Sequence, residues 1–117
     1  LLNKKLHLIT IQMDSTPKEA VSLMRKYNIS QLPVLNGKKL VGTVCERILM
    51  QKMYGSLKVP VTVEEIMDRE FLTLPENTSL SQLGNALVRK EMVIVVNKKG
   101  KPIDVLTRID LLSHINN

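Results

Sequence analysis

Thr107 and Asp110 stand three residues apart, where an apolar strand pattern, Asp104-Val-Leu-Thr107, runs into a helical one, Arg108-Ile-Asp-Leu-Leu112. That spacing has two readings. In one, the threonine caps a helix start and the acid reaches back to it, so that orphan backbone N–H groups are satisfied reciprocally. In the other, a carboxylate with a hydroxyl beside it is the pair that the vicinal hydroxyls of a ribose would use, and the N–H groups of the same helix end would favour a phosphate. Capping is the commoner use of the pattern. The remaining chemistry-bearing residues are scattered: His7 and His114 are isolated, Cys45 has no evident base, and most acids fall at helix caps or on helix surfaces. No nucleophile–base constellation for catalysis emerges. A single cysteine excludes an internal disulfide and a cysteine-rich zinc site, and Cys45 reads as a small buried residue.

A pair of this kind needs a scaffold, and the chain spells out the same one twice. Residues 6–11 alternate loosely as a short strand, and Thr16-Pro-Lys-Glu19 is a capping box with proline at the first helical position. Ala20, Val21, Leu23, Met24 and Tyr27 form the apolar stripe of a helix ending near Asn28. Residues 31–35 read as a buried strand, Asn36-Gly37 as a two-residue hairpin turn, 40–45 as the returning strand, and 46–54 as a helix stopped by Gly55. After a connector at 58–61 and a helical turn at 62–67, the order recurs. A strand at 71–74 precedes a helix capped by Thr78 and Ser79 that carries Leu80, Leu83, Leu87 and Val88. Then come an apolar strand at 92–96, a turn at 97–101, a strand at 102–107 and a closing helix at 108–115. Thr16 and Thr78 lie sixty-two residues apart, and so do Leu49 and Leu111. The expectation is a mixed α/β (α+β) fold of two βαββα motifs, 1–57 with its N-terminal lead-in and 58–117. Each is too small to bury both faces of its sheet, so the two should pack about a pseudo-twofold axis and leave clefts between them.

Composition narrows the classes. An apolar content of 44% suffices for a core, and there is neither a run of eighteen apolar residues nor an export signal. With one cysteine, a reducing, cytoplasmic setting fits best. The start at Leu1 suggests a piece of a longer protein. The net charge of +6 raises the question of nucleic acid, but the lysines fall in separate clusters at 4–5, 38–39 and 98–101. Only Tyr27, Tyr54 and Phe71 could stack on bases, so nucleic acid ranks low among the partners.

Three segments carry a family resemblance: Gln31-Leu-Pro-Val-Leu35 before the turn, Leu40-Val-Gly-Thr-Val44 after it, and Val105-Leu-Thr-Arg-Ile-Asp-Leu111 at the end. The doubled pattern resembles a tandem pair of CBS motifs, a Bateman module, over nearly the whole chain. The stretch from Ser79 to Val96 is similar, without a gap, to the second motif of the C-terminal regulatory module of cystathionine β-synthase. The resemblance implies a regulatory module with no catalytic residues, no metal and no catalytic cofactor. It would sense an adenosyl ligand (S-adenosylmethionine, AMP or ATP) on behalf of a covalently linked catalytic or transport domain, such as a PLP-dependent cystathionine β-synthase, and it would form a homodimer. By the same resemblance Thr107 and Asp110 hold the ribose, with Val105 and Leu106 beside the base. His7, Ile9, Ile29, Ser30 and Gln31 come from the other half, and Met92 completes the wall; core packing is the competing reading of Ile29 and Met92. The matching positions of the first repeat are Cys45 and Ile48, and an isoleucine accepts no hydrogen bond, so only one cleft should hold a ribose. Modules that bind S-adenosylmethionine carry aromatics at the positions of Ile29 and Met92, an acid at that of Ser30, and the family usually has glycine at that of Asp104. A ligand-free dimerisation and interaction module therefore stands as the alternative. The surplus apolar residues of the closing helices, Ile48, Leu49 and Met53 with Ile109, Leu112 and Ile115, are the expected dimer surface.

Overall fold

The computed structural model describes residues 8–55 and 57–115, with the side chains of 114 and 115 left aside. The described chain forms two compact units, Ile9–Glu70 and Phe71–Asn117, with Leu8 grouped with the latter. Each carries one three-stranded sheet and two helices in the order strand, helix, strand, strand, helix.

In the first unit β1 (Ile11–Gln12) pairs parallel with β2 (Gln31–Asn36), which pairs antiparallel with β3 (Lys39–Cys45). Helix α1 (Pro17–Tyr27) starts at Thr16, whose hydroxyl accepts the Glu19 N–H at 3.1 Å. It stops at Asn28, whose backbone takes the left-handed conformation (φ 52°), the usual way to turn a chain out of a helix. Helix α2 (Glu46–Tyr54) ends at Gly55 as the sequence predicts. Leu32, Val34, Val44, Ala20, Met24 and Leu49 form the core. The connector belongs to this core as well: Val63, Ile66 and Met67, in and after a single 3₁₀ turn at Val63–Glu65, are buried in it. Asp68 exchanges two backbone hydrogen bonds with Thr43, at 2.8 and 3.0 Å. Contacts thus group the connector, as far as Glu70, with the first unit.

Two local devices hold the connector. The Glu65 carboxylate accepts the N–H groups of Thr62 and Val61, both at 2.7 Å. Those two bonds, Thr62 first, hold its pKa below the usual glutamate range. Gly42 lets the connector come close: a Cβ there would stand 2.7 Å from Met67 Sδ and 3.0 Å from the Asp68 carbonyl oxygen. That close approach is the physical reason for glycine at this place in the first repeat. Its partner in the second repeat, Asp104, instead accepts the Val105 N–H on its own carboxylate at 2.8 Å.

In the second unit β4 (Thr73–Pro75) pairs parallel with β5 (Met92–Val96), and β5 pairs antiparallel with β6 (Pro102–Thr107). Helices α3 (Leu80–Arg89) and α4 (Arg108–Ile115) cover one face, burying Leu83, Ala86, Leu87, Val93, Val95 and Leu106, with Leu72, Leu74 and Leu111 packed against them.

Three expectations shift. The edge strands are displaced: β1 covers Ile11–Gln12 and β4 covers Thr73–Pro75, because a two- or three-residue parallel pairing carries little alternation of its own. The hairpin loop is Gly37-Lys38 rather than Asn36-Gly37, since Asn36 pairs with Lys39. Gly37 supplies a positive φ (65°) at the first central position, and the Gln12 carboxamide holds it from both sides, accepting its N–H at 2.9 Å and donating to its carbonyl at 3.0 Å. Finally, Thr78 is not the helix cap. Its hydroxyl donates to the Pro75 carbonyl at 2.6 Å, while Ser79 accepts the Gln82 N–H at 3.1 Å and Gln82 Oε1 accepts the Ser79 N–H at 3.2 Å. Thr16 therefore corresponds to Ser79, and the glutamine three residues on decides which of the two neighbouring hydroxyls caps.

Candidate functional site

The junction of β6 and α4 is built from two patterns meeting. Alternation along β6 turns Leu106 into the core, where it is fully buried, and leaves Val105 and Thr107 on the opposite face of the sheet. Directly across from them on β5 stand Ile94, paired with Val105, and Met92, paired with Thr107. Four of these side chains, Met92, Ile94, Val105 and Thr107, therefore share one face, with the start of α4 at its end. Leu106 does not share it. Ile94, which the sequence analysis did not single out, is fully buried and is the direct cross-strand neighbour of Val105. The two-residue period could have found it.

At the helix start one oxygen of Asp110 organises Thr107. The Thr107 N–H donates to Asp110 Oδ2 at 2.8 Å and the Thr107 hydroxyl donates to the same atom at 3.2 Å. The acid's half of the capping pattern is thus realised, since Asp110 reaches back to the Thr107 N–H. Capping does not exhaust the group, however, because an ionised carboxylate offers about four lone-pair sites on two oxygens. A carboxylate beside a hydroxyl at a helix start is the chemistry that ribose hydroxyls would use.

The junction is also tied from behind. Arg108, the first residue of α4, donates from Nε to the Leu87 carbonyl at 2.6 Å and from Nη2 to the Val88 carbonyl at 3.5 Å. These carbonyls belong to the last turn of α3, which intrahelical bonding leaves without partners. No local pattern in the sequence identifies the acceptors, since they are backbone atoms about twenty residues away.

The remaining candidates lie in the first unit. Ile9 and Ile29 are half-buried and pack against its core, the use that competes with lining a pocket. Ser30 is exposed, and its carbonyl accepts the Glu46 N–H at 3.1 Å, satisfying the start of α2. Gln31 pairs with Cys45, and its Oε1 is buried with no hydrogen-bond partner among the described residues. An unpaired buried acceptor costs free energy until a donor reaches it. His7 lies outside the described residues. At the places of Thr107 and Asp110 the first unit has Cys45, which makes no side-chain cap bond, and Ile48, which packs against the core. The chemical asymmetry between the repeats is therefore present in three dimensions. Among the described residues no group of three or more His, Cys, Asp or Glu side chains could hold a metal ion, and no helix is long and apolar enough to cross a membrane.

The CBS domain family matches this chain twice, over residues 4–55 and 63–117. The chain is 28% identical over 109 residues to A-adding tRNA nucleotidyltransferase of Geobacter sulfurreducens, covering 92% of the chain and 12% of that protein. It is 32% identical over 106 residues to inosine-5'-monophosphate dehydrogenase of Korarchaeum cryptofilum (89% of the chain, 21% of that protein). To cystathionine beta-synthase of Dictyostelium discoideum it is 29% identical over 114 residues (92% and 23%). The chain thus spans less than a quarter of the length of each of these relatives. Among solved structures, a CBS domain 28% identical superposes with a TM-score of 0.87 over 97% of this chain and 91% of that one. CBSX2 in complex with AMP does so with a TM-score of 0.79 at 22% identity, over 98% and 92%. Comparable likeness to parts of three differently named enzymes marks the shared segment as a module. With two matches that cover almost the whole sequence, each on its own βαββα unit, the chain belongs to the CBS domain family as a tandem pair.

Proposed function

We propose that this CBS pair is a regulatory module that takes an adenosyl ligand, S-adenosylmethionine or an adenine nucleotide such as AMP or ATP, and passes its occupancy to a catalytic or transport domain of a longer protein. The observation that carries the reading is the Thr107–Asp110 pair, set at the end of the face that holds Met92 and Val105 and replaced by Cys45 and Ile48 in the other repeat. Asp110 accepts the two ribose hydroxyls while it keeps Thr107, and Val105 and Met92 lie beside the base. The complex of CBSX2 with AMP makes AMP the first compound to try.

A thermal-shift panel of S-adenosylmethionine, AMP, ADP and ATP tests it. A ligand at a hundred times its Kd stabilises the folded state by about 2.7 kcal/mol, enough for a clear rise in Tm. If no compound moves Tm, the reading gives way to the second one, a ligand-free interaction module, which the mutual satisfaction of Thr107 and Asp110 favours.

Self-association belongs to both readings. On α2 the exposed apolar side chains are Met50 and Tyr54, the latter 83% exposed, while Leu49 is spent in the core and Ile48 packs against it. On α4 Ile109 and Leu112 are exposed, at 66% and 53%. Apolar groups left out on helices of a small protein mark a surface that a second copy covers. Light scattering should give a dimer mass at micromolar concentration, and a monomer mass throughout that range counts against it.

A further inference from the structure

Arg108 is placed against the electrostatic preference of its own helix. It is the first residue of α4, where the helix dipole disfavours a cation, and the first repeat has the favoured acid, Glu46, at the matching place. The guanidinium turns away from α4 and bonds the Leu87 and Val88 carbonyls at the C-terminal end of α3, where a cation is favoured. One residue thereby ties the first turn of α4 to the last turn of α3. The same two helices also pack on each other: a Cβ placed at Gly84 of α3 would stand at ordinary van der Waals distance, 3.6 Å, from Leu111 Cδ2 of α4. In the repeat that has Ile48 the matching residue, Glu46, carries no guanidinium.

We propose that Arg108 is a positioning residue of the ligand site: by anchoring the start of α4 on α3, it holds Thr107 and Asp110 in the geometry that receives the ribose. The inference rests on the reading of the Thr107–Asp110 junction as an adenosyl site. Two groups bonded to each other across a strand–helix junction are free to swing with the helix unless something outside fixes the helix start. Arg108 supplies bonds from that start to another element. A site held in its binding geometry before the ligand arrives saves the ordering that binding would otherwise require.

The test uses Arg108→Met, which keeps much of the apolar stem and removes the donors, and Arg108→Lys, which keeps a cation able to reach one carbonyl. Amide exchange is followed at Thr107, whose N–H is bonded to Asp110, and at Ile94, whose N–H is bonded to the Leu72 carbonyl, and AMP is titrated by calorimetry. In Arg108→Met, exchange at Thr107 should rise about tenfold more than at Ile94 and the Kd for AMP should rise about tenfold, as fits the loss of hydrogen bonds from a charged donor. Arg108→Lys should recover most of both. Exchange rising equally at Thr107 and Ile94, or an unchanged Kd, overturns the proposal in favour of a merely structural tie. A wild-type protein that binds none of AMP, ADP, ATP and S-adenosylmethionine removes the site and the proposal with it. That failure is separate from the first, because exchange at Thr107 still rises in Arg108→Met.

Discussion

Asp110→Ala is expected to abolish adenosyl-ligand binding while the chain still folds. Two costs separate. The first is structural: Thr107 loses the acceptor of its N–H and its hydroxyl, which amounts to losing a cap bond, about 0.5–2 kcal/mol of stability. The second is paid only when ligand is present. Two ribose hydroxyls brought out of water without their charged acceptor cost on the order of 1–3 kcal/mol each, so affinity falls by roughly thirtyfold or more. Binding is hit harder than folding. Ile48→Ala is the control, because Ile48 holds the position of Asp110 in the other repeat but packs half-buried against the first core. It should lower stability by on the order of 1–2 kcal/mol and leave Kd nearly unchanged. Calorimetry and thermal unfolding on both variants decide the matter. Equal affinity of the wild type and Asp110→Ala would sink the ribose assignment.

What could be read in advance follows from where the signals are local. Helix α2 and Gly55, strand β5, and the passage from β6 to α4 lie at the residues expected, because caps, breakers and apolar runs all act within a few positions. The edge strands β1 and β4 were less legible, since a short parallel strand takes its place from the partner it lies beside. Thr78 and Ser79 are adjacent hydroxyls with equal claim to cap α3, and only the reciprocal bond from Gln82 separates them. For the site, the spacing of Thr107 and Asp110 was sufficient to bring them forward. Arg108 was not brought forward because its acceptors are carbonyls of another helix. A sign was nonetheless present in the sequence: a cation at the first position of a helix asks where its charge is satisfied.

Leu106→Ala is the second large effect expected, and it falls on stability. Resemblance puts Val105 and Leu106 together beside a base, yet neighbouring residues of a strand face opposite ways. Leu106 is fully buried among Leu83, Ala86, Leu87, Val93 and Val95, whereas Val105 is half-buried on the other face. Removing three carbons from a site with no exposed surface leaves a cavity that a small core closes poorly, at about 2–5 kcal/mol. Set against the 5–15 kcal/mol that holds a typical domain together, this loss should lower Tm by roughly 10 °C or more. Val105→Ala should stay within about 1 kcal/mol of wild type in stability, because its side chain already keeps part of its surface in water. In the ligand titration the order reverses: Val105→Ala weakens binding by loss of an apolar contact, and Leu106→Ala does so only as far as β6 shifts. Measured at a temperature where both variants are folded, a Leu106→Ala protein as stable as Val105→Ala would mean that the two faces of β6 have been assigned the wrong way round.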